Sequence, residues 1–359
     1  MISGGGTGGH VYPAIAIADA IREQDPESEI LFVGAKGKIE MEKVPQAGYT
    51  IKGLWISGFH RKQMLRNISF PFKLLSSLWK SWSILRSFRP QVVVGVGGFA
   101  SGPILAVAAR MGLPTLIQEQ NSYPGVTNKL LAKQVDKICV AYGKMERFFP
   151  ADKMINTGNP VRTAFLTKVI DKQEAYTYFG LDPERKTIFV FGGSLGAASI
   201  NRAIAASADL MENNSDVQLL WQVGKLYEDQ YRASEMASLS NVKLVPFVDR
   251  MDLAFGIADV TVCRAGAGTI SELCLVGQAA VLIPSPNVAE DHQTKNALAL
   301  VAQEAALMVK DAEAEEKALK LALETLDDPN LLHRLSINAK ELAKPEAART
   351  IALEVMGLI

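Results

Sequence analysis

Cysteine is scarce in this 359-residue sequence, and so are the marks of a secreted or membrane-spanning chain. Cys139, Cys263 and Cys274 lie in or beside apolar segments without metal-binding spacing, so we expect reduced, buried thiols. The N-terminus has no positively charged segment followed by an apolar stretch, so we expect no signal peptide. No apolar run reaches the roughly 18–20 residues that a spanning helix needs. We therefore expect a cytosolic protein that could meet a membrane only from its cytosolic face.

Acidic residues are missing from one long stretch of the chain. From Lys43 to Gln118 there is no Asp or Glu, but there are ten Lys and Arg. The whole chain is balanced at 38 basic and 38 acidic residues, which argues against general nucleic-acid binding. Residues 1–160 carry 19 basic and 11 acidic residues, whereas the remainder carries 19 and 27. This asymmetry predicts an anionic surface or ligand for the first half.

Glycine, in contrast, is concentrated in loops that follow apolar strands and precede helices. These loops are residues 4–10, 97–103 and 192–197, with a fourth small-residue turn at 264–272. A helix that starts after such a turn presents unpaired N–H groups and the positive end of its dipole, which together bind anions. We therefore predict phosphate-binding loops.

The order of these patterns predicts an α/β protein of two domains. Only three residues precede the first loop, so the first strand is expected to be short, and a helix is expected over residues 12–24. Further strands are predicted at 29–34, 91–96, 114–118, 137–141, 154–156, 187–191, 217–221, 242–245, 260–263 and 280–283. Residues 158–162 resemble a linker, after which the pattern restarts. We predict two doubly wound Rossmann-like domains, 1–160 and 161–359, with a ligand in the cleft between them. The prediction leaves open that the last helix packs back on the first domain.

The first loop matches the glycine pattern of dinucleotide-binding sites, but the acidic residue that accompanies this pattern is missing. Gly4, Gly6 and Gly9 fit G-x-G-x-x-G. A nicotinamide dinucleotide site also needs an acidic residue after the second strand, where this chain has Gly34, Ala35 and Lys36. This argues against a dehydrogenase and leaves a different diphosphate as the ligand.

The fourth turn suggests a nucleotide. Glu272 is expected near the first turn of the following helix, where a carboxylate can accept two hydrogen bonds from a vicinal diol such as ribose. The phosphates would then lie over Gly266 and Gly268. The alternative is a turn made small only for close helix–strand packing.

Residues 58–88 combine aromatic and basic side chains. Pro71 is expected to interrupt any helix there, and an apolar helical face is expected to begin at Leu75. A basic, Trp-bearing stretch is typical of contact with an anionic membrane surface. We predict that contact for Phe70, Phe72, Trp79 and the neighbouring Arg61, Lys62, Arg66, Lys73, Lys80, Arg86 and Arg89, with residues 70–72 exposed. The alternative is an ordinary surface helix whose apolar stripe packs on the sheet.

Seven short motifs together resemble the MurG family of GT-B glycosyltransferases. They read GGGTGGH at 4–10, GGFASGP at 97–103, EQN at 119–121, GNPVR at 158–162, GGSLGA at 192–197, CRAGAGTISE at 263–272 and DHQ at 291–293. The resemblance implies a peripheral enzyme on the cytoplasmic face of the bacterial plasma membrane. It would move GlcNAc from UDP-GlcNAc, with inversion, to the C4 hydroxyl of MurNAc in undecaprenyl-diphosphoryl-MurNAc-pentapeptide (lipid I), giving lipid II for peptidoglycan.

The resemblance also implies roles for single residues. In the donor site, Ser194 and Arg162 would meet the diphosphate, Phe247 and Val248 the uracil, Glu272 the ribose and Gln293 the GlcNAc hydroxyls, with Asn121 reaching the donor sugar from the first domain. Ala267, Gly268 and Thr269 would line the phosphates, followed in the same turn by Ile270 and Ser271. Thr7, Gly8 and Gly9 would bind substrate, either UDP-GlcNAc or the acceptor. Gly97, Gly98 and Ser101 would take the acceptor diphosphate.

The chemistry needs a base for the incoming hydroxyl and charge stabilisation for the leaving diphosphate. His10 is the candidate base, because its ordinary pKa suits that role. The alternative is a helix-start histidine that only hydrogen-bonds backbone. The sequence has no Asp-x-Asp motif, so we expect helix N-termini, Arg162 and Arg264 to stabilise the charge, with no metal and no cofactor.

Other readings use the same features. A UDP-GlcNAc 2-epimerase would share the fold and the donor but would leave the basic, Trp-bearing stretch unexplained. A lipid glycosyltransferase that uses another UDP-sugar would differ in donor preference. A nucleotide-sugar binding protein without activity would need neither His10 nor the second loop.

Overall fold

The computed structural model describes residues 1–58, 68–161 and 170–359. Arg61, Lys62, Arg66 and Arg162 therefore lie outside the described residues. The chain forms two compact units, Met1–Arg162 with Lys344–Ile359, and Thr163–Ala343.

The first unit is built on a parallel sheet. Its strands are β1 (Ile2–Ser3), β2 (Leu31–Ala35), β3 (Thr50–Leu54), β4 (Val93–Gly95), β5 (Thr115–Glu119), β6 (Lys137–Val140) and β7 (Met154–Asn156). They lie in the order β3-β2-β1-β4-β5-β6-β7. The helices between them are α1 (Gly8–Gln24), α2 (Glu40–Gln46), α3 (Phe70–Phe88), α4 (Ser101–Arg110) and α5 (Val126–Leu131). The strand order reverses between β1 and β4, which makes this edge the expected ligand-binding position.

The second unit repeats this plan. Its strands are β8 (Lys186–Phe191), β9 (Val217–Gln222), β10 (Val242–Val245), β11 (Val260–Cys263), β12 (Ala280–Leu282) and β13 (Leu307–Met308), in the order β10-β9-β8-β11-β12-β13. Its helices are α6 (Lys172–Phe179), α7 (Ala198–Ala205), α8 (Ala208–Glu212), α9 (Glu228–Arg232), α10 (Glu235–Ser238), α11 (Met251–Ile257), α12 (Ala267–Val276), α13 (His292–Val301), α14 (Ala314–Leu326) and α15 (Pro329–Glu341). The predicted class, two doubly wound α/β units, is confirmed.

The final helix, α16 (Ala347–Met356), belongs to the first unit. Its buried Ile351 and Val355 share a hydrophobic core with Ile17 of α1. Lys137 and Glu354 add an ion pair of 2.6 Å between β6 and this helix.

Two predicted helix boundaries are wrong. α1 begins at Gly8 rather than at residue 12, so Gly8, Gly9 and His10 form its first turn. Pro71 does not interrupt α3 but lies in its first turn, where the missing N–H of proline would have no helical partner. Among the described residues, no helix combines the length and apolarity needed to cross a bilayer.

Candidate active site

His10 contacts both glycine loops of the first unit. Its Nδ1 lies 3.2 Å from Thr7 Oγ1. Its ring lies against Gly97, because a Cβ built at that position would be 2.8 Å from His10 Cδ2 and 3.0 Å from Nε2. Gly97 also has φ +91°, so a larger residue at this position would be both crowded and strained. Since the loops follow adjacent strands β1 and β4, the imidazole lies at the switch point of the sheet.

The second loop is shaped by its own serine. Ser101 is buried, and its hydroxyl donates to the Gly98 carbonyl at 2.9 Å. Gly98 also packs against the backbone of Gly5 in the first loop. The Ser101 hydroxyl, which we predicted to meet a diphosphate, therefore points into the loop and fixes its turn.

A buried carboxylate supports the first loop, and the sequence did not reveal it. Glu40 Oε2 accepts from the Gly6 N–H at 2.9 Å, and its Oε1 accepts from the Ala35 N–H at 2.9 Å. Glu40 is the first residue of α2 and is completely buried. The carboxylate thus joins the loop after β1 to the end of β2. The local sequence gives no signal for this role, since Glu40 lies among the charged residues Lys38, Glu42 and Lys43.

Glu119 orients Asn121 at the end of β5. Its carboxylate accepts from the Asn121 N–H at 3.0 Å and side-chain amide at 3.2 Å. It also accepts from the Gly125 N–H at 3.1 Å and from Asn128 Nδ2 at 2.8 Å. Burial raises the pKa of Glu119, and these donors act in the opposite direction. Asn121 is therefore held in one orientation at the carboxyl edge of the sheet.

Three buried amides connect the second loop to the segment before Arg162. Gln120 Nε2 donates to the Val96 carbonyl at 2.8 Å. Gln118 Nε2 donates to Asn159 Oδ1 at 3.0 Å, and Asn159 Nδ2 donates to the Gln120 carbonyl at 3.0 Å. The GNPVR motif is thus anchored to the first unit through its asparagine.

The third loop forms a tight turn after β8. Gly193 accepts from the Gly196 N–H at 3.0 Å. Gly196 has φ +78°, and a Cβ there would lie 2.1 Å from the Val223 carbonyl oxygen, so this position requires glycine. Ser194 is exposed in the turn. It lies four residues before Ala198, the first residue of α7, and so is not part of that helix.

The fourth turn leads directly into α12. Gly266 precedes the helix, and Ala267, Gly268 and Thr269 form its first turn. Their N–H groups have no partner within the helix, which favours an anion at this end. Space beside Gly268 is open, with no atom within 4 Å of a Cβ built there. The residues predicted to line the phosphates thus lie at this end of α12.

The next three residues of α12 differ in what they can offer. Ile270 is buried in the core, so its side chain is not available to a ligand. The Ser271 hydroxyl donates to the Ala267 carbonyl at 2.9 Å. Glu272 is half-buried in the second turn, one turn further along than predicted.

Arg264 is bound within the protein. Its guanidinium pairs with Asp311 and donates to Ser199 Oγ at 2.7 Å and to the Ile283 carbonyl at 3.0 Å. Ser199 donates in turn to Asp311 at 2.7 Å. Because Ser199 lies in the first turn of α7, this network connects the third loop with the fourth. It supports the two loops, and the role of Arg264 in stabilising a diphosphate stays a prediction.

The predicted uracil and sugar residues are both engaged with the protein. The Val248 N–H donates to Gln222 Oε1 at 2.9 Å. Phe247 beside it is partly exposed. Gln293 Oε1 accepts from the Ser285 N–H at 2.8 Å. Gln222 is a second residue that the sequence did not reveal, although it is a polar residue at the end of an apolar strand.

Helix α3 presents part of its apolar stripe outward. Its buried residues include Ser77 and Ser81, and Ser77 Oγ donates to the Trp55 carbonyl at 3.1 Å. Phe72 and Trp79, in contrast, are each 68% exposed. Leu75 and Trp82 are exposed as well, whereas Leu85 is buried, so the predicted stripe divides.

Basic groups surround this exposed face, but Lys73 and Phe70 are less exposed than the prediction of a membrane-facing segment implied. Arg86 lies over the Trp82 ring at 5.0 Å, and Lys80 and Arg89 are exposed. Lys73 donates to Ser57 Oγ at 3.1 Å. Phe70 is half-buried, so the expectation that the whole of residues 70–72 is exposed is wrong at this position.

Comparison with known families agrees with the two-unit fold. The glycosyltransferase family 28 N-terminal domain matches residues 1–140, and the C-terminal domain of the same family matches residues 187–351. The crystal structure of MurG from Acinetobacter baumannii superposes with a TM-score of 0.80 at 28% identity, covering 99% of each chain. A UDP-GlcNAc 2-epimerase from Neisseria meningitidis superposes with a TM-score of 0.68 at 13% identity, covering 99% of this chain and 98% of that one, which shows a shared fold alone.

Sequence similarity identifies the family more specifically than the shared fold does. The UDP-N-acetylglucosamine--N-acetylmuramyl-(pentapeptide) pyrophosphoryl-undecaprenol N-acetylglucosamine transferase of Bacteroides fragilis is 54% identical over 360 aligned positions. The alignment covers 100% of this chain and 95% of that protein. The chain therefore belongs to the MurG family of glycosyltransferases.

Proposed function

We propose that this chain transfers GlcNAc from UDP-GlcNAc to the C4 hydroxyl of MurNAc in undecaprenyl-diphosphoryl-MurNAc-pentapeptide, forming lipid II. The observation that carries the proposal is the full-length kinship with the B. fragilis transferase. The first unit would take the lipid-linked acceptor, and the second unit would take the donor.

His10 would act as the base. With the Nδ1 hydrogen donated to Thr7 Oγ1, its Nε2 carries the lone pair that takes the proton from the C4 hydroxyl. The hydroxyl oxygen then attacks the anomeric carbon as the bond from that carbon to the UDP oxygen breaks. The electron pair leaves with UDP, and attack from the opposite face inverts the configuration.

The second unit would stabilise the leaving diphosphate. The first turn of α12 offers N–H groups and the positive end of its dipole, and exposed Ser194 offers a hydroxyl. Glu272 would accept from the ribose hydroxyls. Gln293 would meet the sugar through Nε2, because its Oε1 is bound to Ser285. Asn121, oriented by Glu119, would contact the donor sugar.

A single-turnover assay tests the activity. Radiolabelled UDP-GlcNAc is mixed with a short-chain lipid I analogue, with and without EDTA. Label in the acceptor supports the transferase, and equal transfer with EDTA shows that no chelatable metal is needed. UDP release or a 2-epimerised sugar without acceptor labelling would contradict it. Preferential use of UDP-glucose or UDP-galactose would indicate a different lipid glycosyltransferase.

We also propose that the exposed face of α3, formed by Phe72, Leu75, Trp79 and Trp82, rests on the cytoplasmic side of an anionic membrane. Aromatic side chains enter the interface, and Lys80, Arg86 and Arg89 meet lipid headgroups. The absence of acidic residues from Lys43 to Gln118 supports this proposal, since the region carries no like charge to repel the surface.

Flotation with anionic vesicles tests the membrane face. The double variant Phe72→Ser, Trp79→Ser should lose most vesicle binding while remaining folded, because both side chains are already in water. Leu353→Ser, at an exposed position of α16, is the matched control and should bind as the wild type does. Full binding by the double variant would contradict the assignment.

A further inference from the structure

One buried amide connects the two loops that follow the neighbouring strands of the second unit. Gln222 is the last residue of β9 and is 2% exposed. Its Nε2 donates to the Gly193 carbonyl at 3.0 Å, and its Oε1 accepts from the Val248 N–H at 2.9 Å. Since β9 lies between β8 and β10, one side chain bridges the turns at both neighbours.

The bridged groups are the ones that shape the two turns. The Gly193 carbonyl also accepts from the Gly196 N–H, so it closes the third glycine loop. Val248 is itself buried and follows the partly exposed Phe247. Backbone bonds from Val223 to Val245 and from Gly224 to Pro246 hold the strand ends together. Gln222 adds the side-chain link from that pair of strands to the third loop.

We propose that Gln222 is a positioning residue that couples recognition of the diphosphate to recognition of the nucleobase. The inference rests on the proposed function, which puts the donor diphosphate at the third loop and the uracil at Phe247 and Val248. Gln222 does not touch the donor. It holds the Gly193 turn in the conformation that receives phosphate, and it holds Val248 at a fixed distance from that turn.

The two bonds of Gln222 make separable predictions. Gln222→Met has similar length but no hydrogen bond, so it releases the Gly193 turn and leaves the Val248 N–H open to a base. Affinity for UDP should fall about five- to tenfold, the effect of one lost hydrogen bond, while affinity for uridine should stay the same or rise. Gln222→Glu keeps an acceptor for Val248 but places a carboxylate oxygen against the Gly193 carbonyl. It should lower UDP affinity further and leave uridine affinity unchanged.

The same strand supplies a matched control. Gln218 is also 2% exposed, but it lies at the opposite end of β9. Its Nε2 donates to the Asp182 carbonyl at 2.7 Å and to Thr187 Oγ1 at 2.9 Å, and its Oε1 accepts from the Asp182 N–H at 2.9 Å. Gln218→Met therefore removes a buried amide of the same kind without touching either turn.

Calorimetric titration of the full chain with UDP and with uridine tests the inference, together with donor KM and kcat. The inference is supported if the ratio of UDP affinity to uridine affinity falls in both Gln222 variants and stays constant in Gln218→Met. A raised donor KM with little change in kcat in the Gln222 variants supports it as well. An unchanged ratio in Gln222→Met, with wild-type protein binding UDP, overturns the inference and leaves the proposed function intact. Failure of wild-type protein to bind UDP overturns the proposed donor site and the inference with it.

Discussion

The two units support their glycine loops with different chemistry. In the first unit the supporting groups include a buried carboxylate, Glu40, which accepts from Gly6 of the first loop, beside the Gln120 amide that donates to Val96 ahead of the second loop. In the second unit they are a neutral amide, Gln222, and the Arg264–Asp311 pair, whose charges cancel.

This difference has an electrostatic consequence. In the first unit, the Gly6 N–H of the first loop, which could bind an anion, is already satisfied by the protein's own Glu40 carboxyl group. In the second unit the supports add no net charge, so the N–H groups and dipole at the start of α12 can act on a ligand. We therefore expect the second unit to bind the diphosphate of the donor more tightly. The first unit would chiefly orient the acceptor and move a proton.

The largest expected effect separates proton transfer from donor binding. His10→Gln keeps polarity and removes the base, so transfer should fall about 10²–10⁴-fold. UDP affinity should not change, because it resides in the second unit. Thr7→Val, which removes only the partner of Nδ1, should cost less. Turnover of His10→Gln within a few-fold of wild type would place the base elsewhere.

The next effect concerns the ribose in the second unit. Glu272→Gln should weaken UDP binding about 10–150-fold, the range for hydrogen bonds to a charged group. The loss should be smaller for 2′-deoxy-UDP, which lacks one of the two hydroxyls. Glu324→Gln, an exposed acid on α14, serves as the control. Equal losses for both nucleotides would show that Glu272 does not contact the 2′-hydroxyl.

The local sequence was sufficient to predict those strands whose ends are set by the neighbouring residues. Strands β7, β10 and β11 begin and end at the predicted residues, and each is flanked on both sides by a polar residue or proline. β3 was not predicted, since its alternating Thr50–Leu54 carries Lys52 and Gly53 at the edge of the sheet. The outward face of α3 was only partly predictable, because its buried residues include two serines, of which Ser77 bonds to the carbonyl of Trp55.

The same distinction holds in the candidate site. The glycine loops could be found because tight turns need glycine at fixed positions. The groups that support the loops could not, since Glu40 bonds to Gly6 across 34 positions and Gln222 bonds to Gly193 and Val248 across 29 and 26. The pairing of Arg264 with Asp311 could not be predicted for the same reason, because the two residues are 47 positions apart.

A third prediction tests the carboxylate support of the first unit. Glu40→Gln retains the shape but has only one acceptor oxygen, so one of the Gly6 and Ala35 N–H groups loses its partner. The free energy of unfolding should fall by about 1.5–3 kcal/mol. In urea melts, Glu42→Gln on the exposed face of the same helix should have no measurable effect. Acceptor KM should rise in Glu40→Gln while UDP affinity stays constant. A loss of UDP affinity would contradict the division of roles.

The smallest effect uses the cysteines as reporters of each unit. Cys139 lies in β6 of the first unit, whereas Cys263 and Cys274 lie in β11 and α12 of the second. Burial raises the pKa of the Cys139 and Cys274 thiols to about 12 and also raises that of Cys263. The reactive thiolate is therefore rare at pH 8 in the folded protein, and alkylation requires opening of the surrounding structure.

In mild urea, UDP at ten times its Kd should slow alkylation of Cys263 and Cys274 about tenfold, because it stabilises only the unit that binds it. Cys139 should react at an unchanged rate. Peptide mass spectrometry after a timed iodoacetamide pulse measures all three sites in one sample, so Cys139 is the internal control. Protection of Cys139 alone would move the donor to the first unit. Equal protection of all three thiols would show that the two units open together. The different groups that support the loops would then not give the two units separate stabilities.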